Sequence, residues 1–119
     1  MNIIIHSIRK ALNKAYLKQK PNRSEIEAFK ANIRYMLEHT NDSELEEYHK
    51  NLVSRFLRET WYSPEFFINT KGRNDLVIHN GSNSKSPVGV IIETKKPGNK
   101  TEMAGRNKIN TKAFRELVL

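Results

Sequence analysis

Three residues in the second half of the chain have the types and the spacing to do chemistry together. Asp75 opens an apolar run, Leu76-Val77-Ile78, and seventeen residues separate it from the triplet Glu93-Thr94-Lys95, which closes a second apolar run, Val88-Gly89-Val90-Ile91-Ile92. In an extended strand, side chains i and i+2 project to one side, so Glu93 and Lys95 share a face while Thr94 points the opposite way. If the two runs are antiparallel neighbours, Asp75 at the start of one lies beside the end of the other, and the three groups converge. Two carboxylates held close together repel, and a shared proton or a hard divalent cation relieves the repulsion. Mg2+ suits such oxygen ligands. It would polarise a phosphate, lower the pKa of an attacking water and neutralise charge on the leaving oxygen. Lys95 would orient or activate that water and stabilise the transition state electrostatically. Spacing alone would equally describe an exposed hairpin end with charged caps, so the surrounding elements must decide.

Those elements change period midway along the chain. Ile4, Ile8, Leu12 and Tyr16 recur every fourth residue within 3–17 and predict an amphipathic helix. Lys20-Pro21-Asn22 breaks it, and Ser24, followed by Glu25 and Glu27, is expected to cap a second helix. The two would form a helical hairpin over residues 1–40. Thr40-Asn41-Asp42-Ser43 predicts a turn before a third helix from about Glu44 to Glu59. At about 100° per residue, that helix gathers Leu45, His49, Leu52, Val53, Phe56 and Leu57 on one face. Glu46 lies at the edge of that face, and Glu47 points nearly away from it. Beyond Ser63-Pro64 the pattern becomes strand-like: 66–70, 76–79 and 88–95, separated by the turn Lys71-Gly72-Arg73-Asn74 and by a polar loop over 80–87. A final helix should open near Asn110 or Thr111, with Ala113, Phe114, Leu117 and Val118 as its apolar side. The chain stops at Leu119 after about two turns of it, which suggests a core cut short.

The 119 residues carry 21 Lys and Arg against 13 Asp and Glu, a formal charge of +8. Residues 1–36 hold eight basic residues against two acidic, 37–60 three against six, and 61–119 ten against five. Two basic regions flanking an acidic one suit a polyanion, since basic groups near phosphates gain affinity by releasing counterions. A solubilising charged surface would give the same total. The apolar runs reach at most five residues, far short of the roughly 20 needed to span a membrane, and the start has no secretory signal pattern. With no cysteine, thiolate metal sites and disulfides are excluded, and the cytoplasm is the expected compartment.

The match to a known family extends well beyond the triplet. Asn13-Lys14-Ala15-Tyr16, Lys18-Gln19-Lys20-Pro21, Glu46-Glu47-Tyr48-His49-Lys50-Asn51, Phe56-Leu57, the stretch from Ile68 to Gly81, the stretch from Ser86 to Pro97, and Lys112 to Leu119 together resemble the N-terminal nuclease region of type IIG restriction-modification enzymes. These are endonucleases of the PD-(D/E)xK superfamily. The resemblance implies an α+β fold of the restriction-endonuclease type, with core order α-β-β-β-α over residues 41–119. It also implies Mg2+ held by Asp75 and Glu93, and Lys95 as catalytic lysine. Asn74 stands where the motif has proline, a position that shapes the strand entry. An acid of the first core helix often completes such a site; Glu46 or Glu47 is the candidate, and the face arithmetic favours Glu46. The partner would be double-stranded DNA. Methyltransferase and specificity regions would lie on the same longer chain, and cutting both strands would suit a homodimer.

The basic residues Lys96, Lys100, Arg106, Lys108 and Lys112, with Arg115 beyond them, follow the triplet and are expected to contact phosphates. His49 reads as a packed core histidine rather than a ligand, and His79 could face either way. Trp61 and Tyr62 suit a core or an interface better than base stacking. A DNA-binding module without catalysis, or an interdomain docking module, would share much of this pattern.

Overall fold

The computed structural model describes residues 4–105 and 107–118; Ile3, Arg106 and Leu119 lie outside them. The protein is an α+β chain with a three-stranded antiparallel sheet, ordered β1 (Ile68–Lys71), β2 (Asn74–His79) and β3 (Val88–Ile92). Both connections are hairpins, as the turn residues predicted. Gly72, at φ +62°, supplies the left-handed position that reverses the chain between β1 and β2.

Register places the candidate site. Leu76 pairs with Ile92 and Ile78 with Val90, so one residue beyond the Leu76–Ile92 pair lie Asp75 and Glu93. The sheet's buried residues Ile68, Leu76 and Ile78 form a core with Val53, Leu57, Tyr62 and Ile92 against it. Leu76, Val77 and Ile78 are all buried, so both faces of the central strand are covered.

Helix α4 (Glu46–Leu57) lies across this sheet and continues as one π-helical turn, Arg58–Tyr62. It starts two residues later than the expected Glu44. Leu45 is its N-cap residue and is 76% exposed, so the predicted apolar face begins at His49 and Leu52 instead. Helix α3 (Arg23–Glu38) packs on α4 and the π-helical turn, joined by Phe29, Phe56 and Trp61, whose ring centroids lie 5.3–6.0 Å apart. Its cap is Asn22, not Ser24. The Asn22 side chain accepts from Glu25 N while Glu25 reaches back to the Asn22 N–H, a reciprocal capping box that Ser24 only supports by donating to Asn22.

The first predicted helix is two short pieces, α1 (Ile8–Ala11) and α2 (Lys14–Lys18). Leu12 and Asn13 are extended between them, and Asn13 caps the second by accepting from Ala15 N. The apolar periodicity is present, but Ile4, Ile5 and Ile8 stay 62–78% exposed. Helices this short are marginal in water without burial of an apolar face, so nothing holds the chain through Leu12. Helix α5 (Lys112–Val118) buries only Ala113 of its predicted apolar side fully; Leu117 and Val118 are exposed.

Candidate active site

The site forms where the β2–β3 hairpin opens. The third strand ends at Ile92, three residues short of the predicted Lys95, so Glu93, Thr94 and Lys95 lie on the extended segment beyond the ladder. The alternation survives there. Thr94 turns to Asp75, whose Oδ2 accepts from both the Thr94 N–H and the Thr94 hydroxyl, each at 2.9 Å. Glu93 and Lys95 turn to each other, Nζ donating to Oε1 at 2.6 Å. Asp75 is therefore fixed by Thr94 rather than by Lys95, and its Oδ1 takes no part in these bonds.

Lys95 is the centre of the arrangement. Its side chain is 4% exposed and Glu93's is 7%. Around its ammonium lie Glu93 at 2.6 Å, Glu116 Oε2 at 2.9 Å and Glu46 Oε1 at 3.5 Å. Each carboxylate comes from a different element: the segment after β3, α5 and α4. Burial would lower the Lys95 pKa, but its hydrogen bonds to Glu93 and Glu116 and the charges of Glu93 and Glu46 outweigh it and hold the ammonium above the ordinary lysine range. For Glu93, burial is the largest influence and pushes the carboxyl up. Lys95 opposes this, while Glu116 and the charge of Asp75 add to it. Glu116 moves the other way, held down chiefly by its hydrogen bonds to Lys95 and Glu93.

These groups line one cleft of about 540 Å³, whose walls are Glu46, Arg73, Asp75, Glu93, Lys95, Lys112, Arg115 and Glu116. The buried Glu93–Lys95 pair is surrounded by exposed cations: Arg73 from the β1–β2 turn, and Lys112 and Arg115 from α5. Neither Arg73 nor Arg115 forms an ion pair with a described residue. Of the two helix acids, Glu46 lines the cleft, whereas Glu47 pairs with Lys50 at 2.6 Å.

Of the basic residues expected at phosphates, Lys112 and Arg115 line the cleft, Lys112 pairing with Glu102 at 3.6 Å and approaching Glu116 at 3.9 Å. Lys96 reaches the Asp42 carbonyl at 3.5 Å and Lys108 the Thr101 carbonyl at 3.4 Å. Neither they nor Lys100 line the cleft, and Arg106 lies outside the described residues. Glu116 and Arg73 are cleft residues that the sequence alone did not single out for the site. The available signals were the position of Arg73 two residues before Asp75 and the one-turn spacing of Glu116 from Lys112.

The donor set suits Mg2+ in chemistry, being all carboxylate oxygen. In its arrangement the acids close around Lys95 rather than a common centre, and among the described residues no three His, Cys, Asp or Glu are grouped to hold a metal. His79 and His49 both make contacts that hold the fold. His79 Nδ1 donates to the Ser86 carbonyl at 2.7 Å and Nε2 lies 2.9 Å from the Asn69 amide oxygen, tying the 80–87 loop to β1. His49 is buried and donates to the Leu45 carbonyl.

A family profile described as a domain of unknown function, DUF7149, matches residues 6–119. No curated protein and no solved structure matches the chain. Among the described residues no helix is long and apolar enough to cross a membrane.

Proposed function

The chain belongs to the DUF7149 family, and we propose that this protein is a Mg2+-dependent endonuclease domain of the PD-(D/E)xK type. In this reading it hydrolyses phosphodiesters of double-stranded DNA in the cytoplasm, as the cleavage module of a longer restriction-modification enzyme of the type IIG kind. One observation carries the reading: Asp75, Glu93 and Lys95 meet in a single cleft at the open end of a hairpin, with an acid from the preceding long helix beside them and free arginines around them. The sequence resemblance to type IIG nuclease regions supports it.

Asp75 and Glu93, with Glu46 at the edge, would hold the metal. Bound Mg2+ supplies Lewis acidity to the phosphate and a lowered pKa to a coordinated water. The chain's own groups do the rest. Thr94 fixes the Asp75 carboxylate by two donors to Oδ2, and Oδ1 takes no part in those bonds. Lys95 places a buried positive charge where charge accumulates on the phosphate during attack, and the Arg73 and Arg115 guanidiniums can seat flanking phosphates bidentately. Sequence choice would fall to the specificity region that the resemblance implies on a longer chain. Cutting both strands would call for two copies.

A second reading is a DNA-binding or docking module without catalysis, favoured by the fact that Lys95 already neutralises the carboxylates. One experiment separates the two: nicking of supercoiled DNA with Mg2+ by the intact chain, Asp75→Ala and Lys95→Ala. The nuclease reading expects activity in the first and at least a hundredfold loss in both variants, with DNA affinity retained. Equal activity in all three would sink it. Salt-sensitive binding with no cleavage by any of them would establish the binding module.

A further inference from the structure

We propose that Glu116 is a positioning residue for Lys95, so that helix α5 sets the geometry of the candidate active site. This deepens the nuclease reading, but the position of Lys95 can be tested without it. An ammonium on a four-carbon stem has many rotamers, and burial opposes its charge. The Lys95 side chain is nevertheless 4% exposed, its ammonium lying 2.6, 2.9 and 3.5 Å from carboxylate oxygens of Glu93, Glu116 and Glu46. Glu93 is two residues away on the same extended segment and moves with the lysine. Glu46 is more distant, at 3.5 Å. Glu116, at 2.9 Å, is the nearest contact that comes from a different element. It therefore fixes the ammonium against the rest of the molecule.

Glu116 is itself held in place. Lys112, one turn earlier on α5, lies 3.9 Å from its other oxygen and 3.6 Å from Glu102. The helix is anchored by the Ala113 N–H donating to the Glu102 carbonyl at 3.1 Å and by buried Thr111 and Ala113. Helix α5, tied to Glu102 through the Ala113 N–H, thus brings the Glu116 carboxylate to Lys95. Arg115, the residue before Glu116, lines the same cleft, so a phosphate drawn to Arg115 bears on the helix that positions Lys95.

The test has two readouts on the full chain. The first is lysine acetylation by acetic anhydride, followed residue by residue by mass spectrometry, in wild type, Glu116→Gln and Glu116→Asp. Gln keeps the shape and one acceptor but removes the charge; Asp keeps the charge and withdraws it by a methylene. The Glu116 side chain is 37% exposed, so both variants should keep the fold, and an unchanged melting temperature verifies it. Lys95 should label several times faster in both variants, while Lys50, held by Glu47 on α4, should not change. A general loosening of the fold would raise both lysines together. The second readout is Mg2+-dependent nicking, where Glu116→Gln should lower kcat by about tenfold to a hundredfold with KM for DNA nearly unchanged, the usual cost of removing a group that orients a catalytic one. Unchanged Lys95 labelling in both variants overturns the proposal. Absence of cleavage by wild type overturns the nuclease reading and leaves labelling to decide the role of Glu116.

Discussion

A buried ammonium among three carboxylates is held by opposing effects, and their balance sets how the site responds to pH. Burial disfavours the charges of both Lys95 and Glu93; the surrounding carboxylates more than restore that of Lys95, whereas the Glu93 carboxyl stays pushed up. Because Lys95 is held above its ordinary pKa, the folded protein binds its proton more tightly than the unfolded chain does. Its stabilising contribution is then whole below the ordinary lysine value, about 10.4, and is lost as pH rises from there toward the higher folded value. In metal-free protein, Lys95→Gln should lower stability by up to about 3 kcal/mol near neutral pH, since it leaves Glu93 buried beside two other acids. The gap between wild type and variant in urea midpoints should hold steady from about pH 7 to about pH 9 and narrow by about pH 11. A gap that widened with pH would mean that Lys95 is not charged in the folded state.

At the scale of elements, the site depends on two strands being pinned at their open end, and this was only partly legible in the sequence. The strands, their hairpin turns and the meeting of Asp75 with the Glu93–Lys95 pair followed from period-two alternation and turn residues, because those are local signals. The role of Thr94 was missed: alternation placed it away from Glu93 and Lys95 but not against Asp75, since that depends on cross-strand register. Glu116 was missed for a similar reason. Its helix was foreseen by its apolar side, but the partner of a polar residue is fixed by tertiary docking. The N-terminal periodicity overpredicted one helix, because pattern signals a face that could be buried and not whether anything buries it. The pin itself makes a prediction. Thr94→Val keeps the shape and the backbone N–H bond but removes one of two donors to a carboxylate, costing about 1.5 kcal/mol. Denaturant unfolding should show that loss, and nicking should slow by about tenfold as Asp75 gains freedom. A stability loss with nicking at the wild-type rate would confine Thr94 to holding the hairpin.

The whole molecule carries a charge of +8, yet its distribution matters more than the total. Cations scattered over α1, α2 and α3 contribute a diffuse field that any polyanion feels, whereas those lining the cleft have a specific geometry to satisfy. If DNA lies across the cleft, Arg73, Lys112 and Arg115 each neutralise a phosphate and release the counterions condensed on it. Three such contacts correspond to a slope of about −2.7 in log affinity against log salt concentration for duplex DNA. Measured by fluorescence anisotropy without divalent ions, Arg73→Ala should weaken binding similarly for unrelated sequences and make the slope shallower by about one. Arg9→Ala, on α1 and outside the cleft lining, should leave the slope within error of wild type. The comparison is informative because both variants lower the net charge by the same amount. If net charge alone governed affinity, they would behave alike, and the cleft would have no special claim on the phosphate backbone.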